Sequence, residues 1–212
     1  MGKLTLQQFL LALEREILFG KTYLSIGKGL LATAPEWDVF GVAPTFFGLT
    51  ADGSLQLAQM ALAKLYDRGN HSVTMKAMLL LAAEQQGSFE ADMAQVNATI
   101  LQSAQRIIAL QPILDSIRKR RDKWLAHLDV SIVRSPSALN ESAKLTIEDL
   151  ERTLAETEDI FGRIEHLFNR IVGEICFLGA DDYKAVLKHI RHSQAVDKKE
   201  IAAALAKSGH SL

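Results

Sequence analysis

Apolar residues recur along this chain at steps of three and four almost from end to end, and strand-type alternation is nearly absent. Leu6, Leu10, Leu13, Ile17 and Leu24 form the first stripe, with Thr5 and Gln8 placed as a capping box at its start. Gly27 and Gly29 are expected to weaken that helix near its end. Residues 33–53 contain Pro35, Gly41, Pro44, Gly48 and Gly53 and read as a long loop. The loop carries Trp37, Phe40, Phe46 and Phe47, which either strap it across the other helices or offer a partner or ligand surface. Helices are predicted from about Ser54 to Tyr66 and from about Ser72 to Ala83. A longer one starts near Ser88, with Phe89, Met93, Val96, Ile100 and Ile107 on one side. Pro112 either kinks it or opens a new helix, and the period then resumes to about Leu128.

A polar connection from Val130 leads to a cap signal, Thr146 with Asp149. Ile147, Leu150, Leu154, Phe161, Ile164, Phe168, Ile171 and Ile175 then alternate steps of three and four, skipping only Thr157. Heptad spacing of this kind demands a helical neighbour, either inside the chain or in a second subunit. A last amphipathic helix starts near Asp181, and the tail at 196–212 reads as a short helix that frays. The expected fold is therefore all-α: a single-domain bundle of about five to seven helices over 1–195, with the long loop at 33–53.

Composition narrows this little. The chain has 212 residues, 48% apolar and 23% charged, as in a folded soluble domain. Its net charge of −1 creates no global field, so any polyanion must be drawn by a local patch. The one cysteine, Cys176, excludes a disulfide within the chain and stands among Ile175, Phe177 and Leu178 as a core residue would. No apolar run reaches the roughly 18 residues of a membrane span. The start, MGKLTL, shows no secretory signal and no hydroxyl at position 6 for myristoylation. A cytoplasmic protein with no membrane partner is expected.

The stretch RKRRDKWLAHLD, residues 118–129, breaks the pattern. Its stripe runs Leu110, Leu114, Ile117, position 121, Trp124, Leu128, and position 121 is Arg. A guanidinium cannot shed its charge, so burying it unpaired is prohibitive. Arg121 either pairs with an acid or faces a wet cleft that expects an anion. Asp122 is one candidate partner; Glu148, Asp149, Glu151, Glu156, Glu158 and Asp159 on the next helix are others. Arg118, Lys119, Arg120, Arg121 and Lys123 place five cations in six residues. Such a run is commonly a solvated face, and it is also the one local feature suited to a polyanion. His127 lies six residues beyond Arg121, roughly 120° around an α-helix from it.

An Arg, a polar residue, four more residues and a His, late in a helix of an all-α chain, resemble the signature of the HEPN superfamily. RDKWLAHLD is especially similar to the branch related to bacterial abortive-infection proteins of the U type. ALAKLYDR, from Ala61 to Arg68, resembles a second stretch of that branch, and the likeness spans about residues 4–195. The resemblance implies a helical domain that pairs as a homodimer and, in active members, cleaves RNA without metal. Carried over, Arg121, Asp122 and His127 are the catalytic candidates. His127 would be general acid or base, Arg121 would hold phosphorane charge, and Asp122 would orient one of them. Arg118, Lys119, Arg120 and Lys123 would gather the RNA backbone. A phage-defence or toxin–antitoxin role implies an antitoxin partner; other HEPN members are non-catalytic RNA- or nucleotide-binding or dimerisation modules. No metal and no cofactor is expected. His189 and His192, three apart, have no acid near them, and His71, His166 and His210 have no supporting constellation. A plain helical scaffold, its basic run paired with the acidic helix, is the remaining alternative.

Overall fold

The computed structural model of the chain describes residues 5–37, 43–69, 72–125, 143–168 and 182–207. Among them every regular element is helical. They are α1 (Leu6–Trp37), α2 (Pro44–Leu65), α3 (Met75–Glu84), α4 (Met93–Ala109), α5 (Gln111–Arg120), α6 (Ile147–Leu167) and α7 (Asp182–Lys207). A 3-10 turn at Gln86–Ser88 precedes α4, and a π-helical turn at Arg121–Leu125 follows α5.

Local signals set most of the helix starts. Thr5 N donates to Gln8 Oε1 at 3.0 Å and Gln8 N to Thr5 Oγ1 at 3.3 Å, so the expected capping box opens α1. Thr146 and Asp149 form the same reciprocal pair at α6. Thr74 caps α3 through Ala77 N, and Pro112 sits in the first turn of α5, opening a new helix there rather than kinking the old one.

The loop expected over 33–53 is largely helix. α1 continues to Trp37, and α2 begins at Pro44 and runs unbroken through Gly53. Gly27 and Gly29 do not end α1, because both sit where a neighbour comes close. A Cβ at Gly27 would stand 2.8 Å from Leu55 Cγ of α2, and one at Gly29 only 1.9 Å from Tyr183 Oη of α7. Tertiary contact therefore outweighs the propensity cost of about 1 kcal/mol per helical glycine. Of the loop's aromatics, Phe47 is buried and Phe46 exposed. Trp37 ends α1, and Phe40 lies outside the described residues.

The core forms around α6, which packs on α1, α2, α3 and α4. Leu150, Leu154, Phe161 and Ile164 are buried against Leu10, Ile17, Leu62 and Met78, so the heptad's neighbour lies within the chain. Each such side chain contributes roughly 1.5–3 kcal/mol by leaving water. Thr157, the skipped heptad position, is fully buried and meets the Tyr66 hydroxyl at 2.7 Å. Met93 departs from its expected stripe and is exposed, because α4 starts there rather than near Ser88. α7 is seated through Leu187, which packs with Leu30, Phe47 and Ala51. Its helix continues through residue 196 without a break to Lys207. Among the described residues no helix is long and apolar enough to cross a membrane.

Candidate functional site

Arg121 meets both of the fates its sequence position allows. Its side chain is 24% exposed, and it is paired. Nε donates to Asp122 Oδ1 at 2.7 Å, and Nη1 donates to Asp67 Oδ1 at 3.0 Å. Asp122 first, then Asp67, hold the guanidinium more firmly protonated than usual, against the partial burial that opposes it. Arg121 also lines a cleft of about 380 Å³ with Glu16, Lys64, Asp67 and Ser72.

Asp67 is not among the acids that spacing nominates. It follows the last turn of α2, where the Tyr66 N–H donates to the Leu62 carbonyl at 3.1 Å and the N–H of Asp67 itself donates to the Lys64 carbonyl at 3.2 Å. Asp67 Oδ2 accepts Ser72 Oγ at 2.9 Å and the Gly69 N–H at 3.2 Å. The Asp-x-Gly pattern of an Asx turn is the signal available for it. Arg121 first, and Ser72 next, hold the Asp67 carboxyl down at about 2. Tyr66 is anchored in the core through Thr157, and its burial pushes the phenol up to about 12. The two stretches that resemble one family therefore meet in space: ALAKLYDR supplies the carboxylate, RDK the arginine.

Arg121 also begins the π-helical turn. A π turn closes i→i+5 bonds and takes more residues per turn than an α-helix. The 120° separation from His127, derived for an α-helix, does not carry across it. His127 itself lies outside the described residues, as do Leu128, His71, Cys176 and His210.

The rest of the basic run spreads over several partners. Arg118 Nη1 donates to Asp115 Oδ1 at 2.5 Å, and Arg68 Nη2 reaches the same oxygen at 3.2 Å. Arg120 Nε donates to the Ala143 carbonyl at 2.8 Å, and burial lowers its pKa. Lys119 is exposed and Lys123 half-buried. Arg118 and Arg68 line a second cleft of about 480 Å³, which shares Asp67 and Ser72 with the first. Over both clefts and the run together, cations outnumber acids.

The acidic helix α6 does not pair with Arg121. Glu158 meets Lys21 at 2.5 Å, Glu151 meets Lys28, and Glu156 and Asp159 both meet Arg106. α1 and α4 carry these cations, so the acidic face is occupied along the bundle's side. His189 and His192 are both exposed on α7. Among the described residues no group of three or more His, Cys, Asp or Glu is placed to hold a metal ion.

No curated protein and no solved structure matches the chain. The model of the family HEPN_AbiU2, described as AbiU2, matches residues 6–196, which takes in both ALAKLYDR and RDKWLAHLD. With most of its length under that match, this all-α chain belongs to the HEPN_AbiU2 family of the HEPN superfamily.

Proposed function

We propose that this protein is a metal-independent endoribonuclease acting in bacterial phage defence or a toxin–antitoxin system. One observation carries the reading: Arg121 stands at a cleft wall, held there by two carboxylates, Asp122 beside it and Asp67 from the end of α2. A guanidinium fixed before the ligand arrives stabilises developing charge without reorganising at the moment of reaction. In the proposed step the ribose 2′-oxygen bonds to the adjacent phosphorus and the 5′-oxygen leaves. His127 removes the 2′-proton or protonates the leaving oxygen. A homodimer would bring a second histidine to the cleft and so allow one base and one acid. Asp122 is the positioning residue for Arg121. Arg118, Lys119, Arg120 and Lys123 gather the RNA backbone, and an antitoxin would hold the activity in check. The products are a 2′,3′-cyclic phosphate and a 5′-hydroxyl.

The test is cleavage of total tRNA and a long mRNA in excess EDTA by wild type, His127→Ala and Arg121→Ala. Cleavage by the wild type alone, leaving cyclic-phosphate ends, is expected. Equal cleavage by all three proteins would sink the proposal.

A second reading, a non-catalytic RNA- or nucleotide-binding or dimerisation module, is favoured by the same two carboxylates. Arg121, Asp67 and Asp122 together carry net negative charge, which opposes a phosphate in contact with them. Salt-sensitive RNA binding without turnover would select it.

A further inference from the structure

The second cleft, of about 480 Å³, lies between the end of α2, the first half of α3 and the α4–α5 junction. That volume is within the range of small-ligand sites. Its cations come from three separate parts of the chain: Arg68 after α2, Lys76 on α3 and Arg118 on α5. Arg68 and Lys76 are outside the basic run. Asp115 Oδ1 takes one nitrogen from each arginine, so a single carboxylate draws two guanidiniums together without cancelling both. Asp67, at the edge shared with the first cleft, is matched by Arg121. The balance left in the cleft is positive.

Part of the lining is apolar. Leu80 projects from α3 with 58% of its surface exposed, beside the buried Ile107. Inorganic phosphate would use only the cations. A nucleotide, with an anionic end and a flat apolar base, uses both the cations and the apolar side chains.

We propose that this cleft holds one nucleotide of single-stranded RNA. Its phosphate lies on Arg68, Lys76 and Arg118 and its base against Leu80 and Ile107, next to the cleft lined by Arg121. The inference rests on the reading of RNA as this protein's ligand and does not require that the RNA be cut. Because Asp67 and Ser72 line both clefts, a strand crossing this edge engages both at once.

Binding of a fluorescent single-stranded oligonucleotide with non-cleavable 2′-O-methyl riboses tests it, by anisotropy across a salt series. Lys76→Ala is the main variant, since Lys76 is exposed on α3 and a surface substitution there is expected to leave the fold intact. Arg68→Ala and Leu80→Ser are measured beside it, and Lys21→Ala, which lines a different cleft, is the control. Lys76→Ala and Arg68→Ala are each expected to weaken binding at low salt and to flatten the log–log salt slope by about 0.7 for each phosphate no longer neutralised. Leu80→Ser is expected to weaken binding with the slope unchanged, and Lys21→Ala to change neither. Wild-type affinity and slope in Lys76→Ala would overturn the proposal, as would a wild type with no salt-sensitive binding. A mononucleotide that binds as tightly as the oligonucleotide would make this a free-nucleotide pocket and overturn it too. Binding that depends on Arg68 and Lys76 in a protein that cuts nothing would leave the subsite standing and remove the nuclease reading. Cleavage indifferent to both residues would do the reverse.

Discussion

Arg106 and Arg121 are both arginines that bridge two carboxylates at the edge of the bundle, with side chains 30% and 24% exposed. They differ in where their partners sit. Arg106 donates Nε and Nη2 to Glu156 and Nη1 to Asp159, and both acids sit on α6. Arg121 gives Nε to its neighbour Asp122 and Nη1 to Asp67 beyond the end of α2, and it lines a cleft. The first arrangement ties α4 to α6. The second fixes a guanidinium in orientation at a cleft wall. The number of ion pairs does not separate them, because an ion pair between half-exposed groups adds little stability by itself; their placement does.

The largest expected effect sets the two arginines apart by function. Arg121→Ala should lower RNA cleavage about 10²–10³-fold, the usual loss when one preorganised donor to a transition-state oxyanion is removed. Arg106→Ala should leave cleavage unchanged. Comparable losses in both variants would erase the distinction and return Arg121 to a structural role. The assay is the rate of cyclic-phosphate formation at matched protein concentration.

Next in size is the anchor behind Asp67. Tyr66→Phe removes the buried hydrogen bond to Thr157, whose hydroxyl still donates to the Thr153 carbonyl at 2.6 Å. A loss of about 1 kcal/mol in urea unfolding is expected, the net worth of one buried hydrogen bond. An unchanged midpoint would mean that Tyr66 holds its place by packing alone.

A smaller effect should separate the arginines by stability, in the opposite order to activity. Arg106→Ala is expected to lose about 0.5–1 kcal/mol, because it unties two acids on α6 at once. Arg121→Ala is expected to lose less, since Asp67 keeps Ser72 and the Gly69 N–H. Denaturant midpoints of the two variants decide the order.

The smallest effect depends on pH. The Asp67 carboxyl is held at about 2 in the folded chain, below its ordinary value near 4. A depressed folded pKa stabilises above the unfolded value, and that stability is lost as pH falls toward the folded one. Asp67→Asn should therefore be less stable than wild type at pH 7, with the gap closing from about pH 4 down toward pH 2. A gap that stays constant over that window would mean that the Asp67 charge does not contribute.

Much of the fold is legible along the chain because helices report themselves locally. The Thr5–Gln8 and Thr146–Asp149 caps lie within one turn, and the stripe from Leu6 to Leu24 needs only the 3.6-residue period. The same locality makes 33–53 look like a loop when most of it is helix. Proline and glycine lower helix propensity locally, while Leu55 and Tyr183, which seat against Gly27 and Gly29, come from elsewhere in the chain. In the candidate site, the anomaly at Arg121 stands out because a charge interrupts an apolar stripe. Its partner does not: Asp67 is 54 residues away and shows no periodic relation to it.

The all-α class, the helix caps, the apolar faces and the position of the motif all follow from backbone period and neighbouring side chains. Helix packing alone set the pairing of α6's acids with Lys21, Lys28 and Arg106, the hold of Asp67 rather than α6 on Arg121, and the meeting of Arg68 and Lys76 with Arg118 in one cleft. Those are contacts between residues far apart in the chain. An ion pair acts through space over a few ångströms, so which charges meet depends on how the helices pack and not on their order along the backbone.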